Sequence, residues 1–231
     1  MHLLIIFLFC LFVESMHKNT SVFFYDTFEN LNNWKTFQFS SGKKLTDYKI
    51  INKDQNHYLQ IKSDSSASGL ICKTKFNPNI NPLLKWKWKV ENIIPNADGK
   101  TKAGDDYPIR LYVMFEQDST QISFWSKLEK EAAKLITGYE PPYKSLCYVW
   151  ANSDSDTKNY FSPYTEDVMI IPIQIGTENC NQWITEQINI VEDFKKYFEE
   201  EIPNIAYLAL LGDTDNTKSQ TSSYIDFIEI K

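Results

Sequence analysis

LLKWKWKV, residues 83–90, is the clearest strand pattern in the sequence. Its apolar side chains alternate with three lysines, which is the two-residue period of a β-strand that buries one face and exposes the other. IRLYVMFE at 109–116 and LCYVWA at 146–151 alternate in the same way. The chain is therefore expected to be built from half-buried strands.

Turn-forming Asn, Asp, Ser, Gly and Pro separate further segments of this kind. These are residues 22–26, 34–39, 46–52, 57–63, 68–76, 168–174, 205–212 and 223–230. Many short strands at this spacing predict an all-β fold, a single-domain β-sandwich of jelly-roll, lectin-like or galactose-binding-like type. Residues 125–137 and 187–200 carry apolar side chains on one helical stripe and predict two short peripheral helices. Without repeats or linkers, residues 22–231 are expected to form one domain.

The first fifteen residues, MHLLIIFLFCLFVES, form an apolar block of the length of a signal peptide. We expect residues 1–15 to be removed and the protein to be secreted or periplasmic. No later stretch is long and apolar enough to span a bilayer. Without Glu14, 24 basic side chains face 29 acidic ones, a net charge of −5. Neither nucleic acid nor an anionic membrane is therefore an expected partner.

Several reaction classes lose support because their motifs are missing. The mature chain keeps only His17 and His57, and it contains no P-loop, GxGxxG, GxSxG or HExxH. Its three cysteines, Cys72, Cys147 and Cys180, form no CxxC pair. Buried core positions are favoured for the first two, and one disulfide with one free thiol is the alternative. Nucleotide, dinucleotide and zinc chemistry are not expected.

The remaining chemistry centres on one arginine. Arg110 is the single arginine among 24 basic residues, and Asp105 and Asp106 stand at the entrance to its strand. A guanidinium group can hold a carboxylate or two vicinal oxygens at two points, which lysine cannot do. Two interpretations are open: a structural ion pair between Arg110 and an aspartate, or an arginine and several carboxylates lining a ligand groove.

A second polar group follows an apolar run in LLGDTDNTK, residues 210–218. Asp213, Asp215 and Asn216 offer oxygen ligands, but Lys218 stands where an EF-hand loop needs glycine, so an EF-hand is rejected. A calcium ion held by Asp213 and Asp215 stays open beside an Asx-rich turn between two strands.

Aromatic residues supply candidate surfaces for stacking on a sugar. Trp86 and Trp88 lie on the aliphatic side of their strand, which favours core packing. Tyr148 and Trp150 precede the polar stretch ANSDSD and are the better candidates for a stacking platform.

Six stretches together are similar to a known family. They are SASGL at 66–70, WKWKV at 86–90, GDDYPIRLYVMFE at 104–116, CYVWAN at 147–152, WITEQINIVEDF at 183–194 and LALLGDTDNT at 208–217. In this order they resemble a bacterial family of uncharacterised secreted proteins, domain of unknown function 3047. The resemblance implies membership of the family and does not indicate any particular activity. Its motif positions are Asp105, Asp106, Arg110, Trp150, Asp213, Asp215 and Asn216. The chain departs from the family at Ile188 and Asn189, where an Arg is frequent, and at Pro108, where a small residue is usual.

We expect one polar cluster where the strand entrance at 105–110, the Trp150 loop and the turn at 213–217 meet. The favoured function is noncatalytic binding of a carbohydrate or polyol in the cell envelope, with calcium as a candidate cofactor. One alternative is a structural envelope protein in which the Asp and Arg network locks strands together. The other is a carboxylate-based glycoside hydrolase or lyase that pairs Asp105 or Asp106 with Asp213 or Asp215.

Overall fold

The computed structural model describes residues 21–38, 42–53, 56–117, 142–153 and 158–231. The strands in these ranges are β1 (Phe24–Asp26), β2 (Trp34–Phe37), β3 (Asp47–Lys53), β4 (Asn56–Asp64), β5 (Ala67–Phe76), β6 (Leu83–Val90), β7 (Tyr107–Glu116), β8 (Lys144–Ala151), β9 (Tyr160–Ser162), β10 (Thr165–Ile175), β11 (Ile184–Asn189), β12 (Ile205–Asp213) and β13 (Gln220–Ile230). One described helix, α1 (Ile190–Phe198), follows β11 directly.

The strands form two sheets. The six-stranded sheet has the order β11-β6-β13-β4-β3, with β1 also paired to β13, and the seven-stranded sheet has the order β2-β5-β12-β7-β8-β10-β9. All pairings are antiparallel except that of β8 with β10, which is parallel. The predicted β-sandwich is confirmed.

The core lies between the sheets and is rich in aromatic rings. Trp86 and Trp88 project from β6 toward β8, where Trp86 lies 5.6 Å from the ring of Tyr148 and Trp88 lies 5.9 Å from that of Trp150. All four side chains are fully buried. The alternation in β6 thus places its tryptophans inside, as predicted, and leaves its lysines on the outer surface of the six-stranded sheet.

The predicted strands agree with the structure to within a few residues, but β9 and β11 were missed. The helix predicted over 187–200 begins at Ile190, because residues before it pair with β6 as a strand. Asn189 caps α1 by accepting hydrogen bonds from the backbone N–H groups of Val191 and Glu192 at 3.0 and 3.3 Å. The helix predicted over 125–137 lies outside the described residues.

The described cysteines carry free thiols. Cys72 and Cys147 are buried, as predicted, and Cys180 is half-buried.

The described part of the chain contains no helix long and apolar enough to cross a membrane. The signal peptide predicted at 1–15 lies outside the described residues, and the single domain predicted over 22–231 stays a prediction.

Candidate functional site

The site begins at an irregularity between β7 and β12. Proline has no N–H for the strand ladder, and beside Pro108 the register shifts so that Asp213 lies opposite Tyr107. The shift brings Tyr107 to the outer side of the sheet, next to Arg110. Its backbone N–H donates to Asp213 Oδ1 at 3.3 Å, and its ring centroid lies 4.5 Å from the guanidinium carbon of Arg110.

Arg110 holds two aspartates at once. Its Nε donates to Asp213 Oδ1 at 3.0 Å and its Nη2 to Asp213 Oδ2 at 2.5 Å. Nη1 donates to Asp105 Oδ1 at 3.1 Å, and Nη2 also reaches the Asp105 carbonyl oxygen at 2.5 Å. All three residues are at most 6% exposed. The geometry is the planar, two-point grip for which arginine was singled out.

Asp106 closes the turn that follows β12. Its carboxylate accepts from the Thr217 backbone N–H and the Thr217 hydroxyl, both at 2.7 Å, and from the Asn216 backbone N–H at 3.2 Å. The side-chain amide of Asn152 donates to the Asp106 carbonyl oxygen at 2.8 Å. The entrance to β7 and the turn after β12 therefore form one hydrogen-bonded unit, as expected from the sequence.

Burial and neighbouring charges act in opposite directions on the two groups of the Arg110–Asp213 pair. Burial raises the pKa of Asp213 from its ordinary value to about 7, although Arg110 acts in the opposite direction. Burial alone would lower the pKa of Arg110, but the neighbouring groups, Asp213 first among them, outweigh burial and raise that pKa above its ordinary value. The guanidinium group therefore stays charged at any physiological pH.

A cavity of about 360 Å³ opens over this unit on the outer side of the seven-stranded sheet. Its polar lining includes Asp105, Arg110, Asp213, Asp215 and Asn216. Six of the eight predicted site residues thus come together. Five of them line the cavity, and Asp106 is bonded to the turn that carries Asn216. The cavity gives the cluster an opening toward the surface.

Two further side chains at the cavity were not predicted. Lys43 pairs with Asp215 at 2.6 Å. Tyr164, in the turn between β9 and β10, is 55% exposed, and its hydroxyl donates to the Lys102 carbonyl oxygen at 2.9 Å. Both stand in loops without hydrophobic alternation, so no sequence pattern placed them here.

The prediction of Tyr148 and Trp150 as a stacking platform was wrong. Both rings are fully buried between the sheets, because they share the inner face of β8 with Leu146. The Trp150 indole N–H donates to the Gly176 carbonyl oxygen at 3.0 Å, and the Tyr148 hydroxyl to Asp193 Oδ2 at 2.9 Å. Neither ring offers a face to a ligand.

The acidic side chains are close to one another but already have partners. Carboxylate oxygens of Asp106, Asp213 and Asp215 lie within 4.8 Å of each other. Arg110 holds both oxygens of Asp213, and Lys43 pairs with Asp215, so a calcium ion here would compete with two cations. The same contacts occupy the carboxylates that a hydrolase would need as acid and base. Calcium binding by Asp213 and Asp215 stays a prediction.

Comparison with known proteins gives one family match. Residues 32–229 match the family described as Protein of unknown function (DUF3047). No curated protein matches the chain significantly in sequence.

Solved structures with a similar arrangement share little sequence with the chain. The family 11 carbohydrate-binding module of the cellulosomal cellulase Lic26A-Cel5E of Clostridium thermocellum is 11% identical, with a TM-score of 0.42 over 89% of this chain and 91% of that one. Endoglucanase 3 of Trichoderma harzianum, from family GH12, is 6% identical, with a TM-score of 0.46 over 91% and 96%. TM-scores below 0.5 support no conclusion about ligand or reaction.

Proposed function

We propose that this chain, which belongs to the DUF3047 family of proteins of unknown function, binds a neutral carbohydrate or polyol without altering it. The binding site would be the cavity over Arg110 and Asp213. The observation that carries the proposal is this opening of about 360 Å³, which has a polar floor and an exposed tyrosine at its side. The volume falls near the lower end of the range for small-molecule pockets, roughly 300 to 1,000 Å³.

The polar floor keeps hydrogen-bonding capacity for a ligand. Four of the five N–H donors of Arg110 go to Asp213 and Asp105, and the second hydrogen on Nη1 has no acceptor within the described part of the chain. Asp105 uses only Oδ1 toward Arg110. A donor and an acceptor side by side suit the vicinal hydroxyls of a sugar or polyol.

The charges around the cavity favour a neutral ligand. Asp105, Asp106, Asp213 and Asp215 supply four carboxylates, and two cations, Arg110 and Lys43, oppose them. An anionic ligand would be repelled by this excess of negative charge.

Tyr164 supplies the apolar surface that a sugar also needs. Sugars present C–H faces that pack against aromatic rings, while their hydroxyls require polar partners. The 55% exposed ring of Tyr164 at the cavity takes the role that had been expected of Trp150.

A panel of neutral mono- and disaccharides, sugar alcohols and glycerol, titrated with and without calcium, tests the proposal. We expect at least one member to raise the melting temperature of the wild type, because a ligand that binds only the folded state stabilises it. The same compound should fail to stabilise Tyr164→Ala. If no compound shifts the melting temperature or perturbs the cavity residues in nuclear magnetic resonance spectra, the proposal is wrong.

A structural role is the second candidate, and the four hydrogen bonds that Arg110 already makes to Asp213 and Asp105 favour it. Because Arg110 already joins Asp213 on β12 to Asp105 before β7, the cluster could serve only to lock these strands. This candidate predicts a loss of stability on substitution and no stabilising ligand. The ligand panel therefore separates the two candidates.

The proposed location is outside the cytoplasm, in the periplasm or the medium. The apolar block at 1–15 supports it. Cell fractionation of the full-length protein, with residues 1–15 present or deleted, provides the test. Export should require the block, and equal distribution of both forms would contradict the proposal.

A further inference from the structure

The outer surface of the six-stranded sheet carries a second set of side chains suited to binding. Lys85, Lys87 and Lys89 point outward from β6 at alternate positions, about 7 Å apart along the strand. Aromatic rings from neighbouring segments lie among them. We call this surface the lysine–aromatic face and define it by Tyr58, Lys85, Lys87, Lys89, Trp183, Tyr224 and Phe227.

Three rings of the face form a contiguous group. Tyr58 lies 5.6 Å from Trp183 and 5.7 Å from Tyr224, and Trp183 lies 6.3 Å from Tyr224. The Lys89 ammonium group lies 5.1 Å from the Trp183 ring centroid and 4.4 Å from that of Tyr224. Cations and rings are therefore interleaved, and each cation is held over apolar surface.

The face carries positive charge in a protein whose net charge is −6. Three carboxylates of the sheet around it are paired with lysines: Asp47 with Lys49 at 2.5 Å, Asp226 with Lys87 at 2.7 Å and Glu229 with Lys231 at 2.9 Å. Glu91 at the rim accepts from the Tyr224 hydroxyl. Among the residues that the structure describes, Lys62, Lys85 and Lys89 have no carboxylate within ion-pair distance. A positive surface on an acidic protein indicates an anionic partner.

We propose that the lysine–aromatic face binds an acidic polysaccharide, a glycan chain that carries carboxylate or sulfate groups. The acidic groups pair with Lys85 and Lys89, and the C–H faces of the sugars pack on the rings of Trp183 and Tyr58. A polymer suits the face because the lysines repeat along the strand and are not gathered around one point.

The ring geometry argues against single-stranded nucleic acid. Bases bind by stacking on successive free ring faces. Here the three rings meet edge to face, at interplanar angles of 70°, 76° and 63°. Sugars need no such stack of parallel rings.

This second surface is separate from the cavity in place and in charge. The cavity lies on the outer side of the seven-stranded sheet and is rich in carboxylates, whereas the face lies on the opposite side of the sandwich. The two surfaces can therefore be tested independently, and failure of one leaves the other standing.

Calorimetric titration of the full chain with polygalacturonate and with dextran sulfate tests the proposal, with uncharged dextran as the control. We expect at least one acidic polymer to bind, more weakly at high salt because exposed charges are screened. Lys85→Gln/Lys89→Gln removes two cations that pair with the acidic groups of the polymer and should weaken binding about tenfold. Lys73→Gln/Lys195→Gln removes the same charge from other surfaces and should bind like the wild type.

Substitution of Trp183 distinguishes a specific binding site from simple charge attraction. Trp183→Ala leaves the net charge unchanged and should still weaken binding severalfold, while Trp183→Phe keeps part of the affinity. The proposal is overturned if neither acidic polymer binds. It is also overturned if the two lysine double variants lose the same affinity. Tighter binding of oligodeoxythymidylate or of phosphatidylglycerol vesicles than of either polysaccharide also overturns it.

Discussion

Arg110 on β7 and Asp213 on β12 form a two-point ion pair, Nε to Oδ1 at 3.0 Å and Nη2 to Oδ2 at 2.5 Å, in which Arg110 is 3% exposed. The two residues are separated by 103 positions in the chain. Two charges removed from water must satisfy each other, so the loss of either one leaves the other without compensation.

Arg110→Met should therefore lower the free energy of unfolding by about 3 to 5 kcal/mol. The double variant Arg110→Met/Asp213→Leu should lose less than the sum of the two single variants, because both charges leave together. Urea unfolding of the wild type, the two single variants and the double variant measures this coupling. Additive losses would mean that the two side chains act independently, against the contacts observed.

The stability should also depend on pH through Asp213. Its pKa rises to about 7 in the folded state, whereas the unfolded chain releases the proton near the ordinary value for Asp. Between these values the folded state holds more protons, so this contribution to stability is present in acid and is lost as pH rises through about 7. Melting temperatures between about pH 5 and pH 8 should fall more steeply for the wild type than for Asp213→Asn. Parallel curves would contradict the raised pKa.

Tyr164→Ala should separate binding from folding. The exposed side chain contributes little to packing, so the free energy of unfolding should change by less than about 0.5 kcal/mol. Stabilisation by the neutral ligand found in the panel should disappear. Phe161→Ala is the matched control, since it removes another exposed ring of the same region that does not line the cavity. Equal loss of ligand stabilisation in both variants would assign the effect to the region and not to Tyr164.

Trp150→Phe should show the reverse pattern. It leaves the Gly176 carbonyl oxygen without its indole donor and creates a small void, which costs about 1 to 3 kcal/mol of stability. Because Trp150 lies inside the sandwich, ligand stabilisation measured as a shift relative to the variant's own melting temperature should persist. Loss of that shift would restore Trp150 as a binding residue.

Most strands could be predicted from the sequence because the alternation of apolar and polar residues follows directly from burial of one face. In β6 each tryptophan is flanked by lysines, and only one arrangement buries the rings and exposes the charges. β9 has three residues, too few to display a period, and β11 became a strand through its pairing with β6. These elements depend on neighbours distant in sequence, which local pattern does not contain.

Part of the candidate site could be predicted from the chemistry of its residues. A single arginine beside two aspartates identified Arg110 and Asp105, and an abrupt polar end to an apolar strand identified Asp213. Trp150 misled because the polar residues after it mark the end of β8 and carry no information about which face of the strand is inside. Tyr164 gave no signal, since its exposure is decided by packing alone.

The last two strands run through the middle of the molecule. β12 lies between β5 and β7, and β13 lies between β4 and β6 and also pairs with β1. Without these two strands the seven-stranded sheet is two separate groups of strands and the six-stranded sheet is three. The two sheets therefore cannot be completed until β12 and β13 have been synthesised. Until then each of the five strands that pair with them, β1, β4, β5, β6 and β7, has an edge without its partner, open to a chaperone or to another chain. The order of the strands makes assembly of both sheets depend on the segment 205–231, which carries β12 and β13.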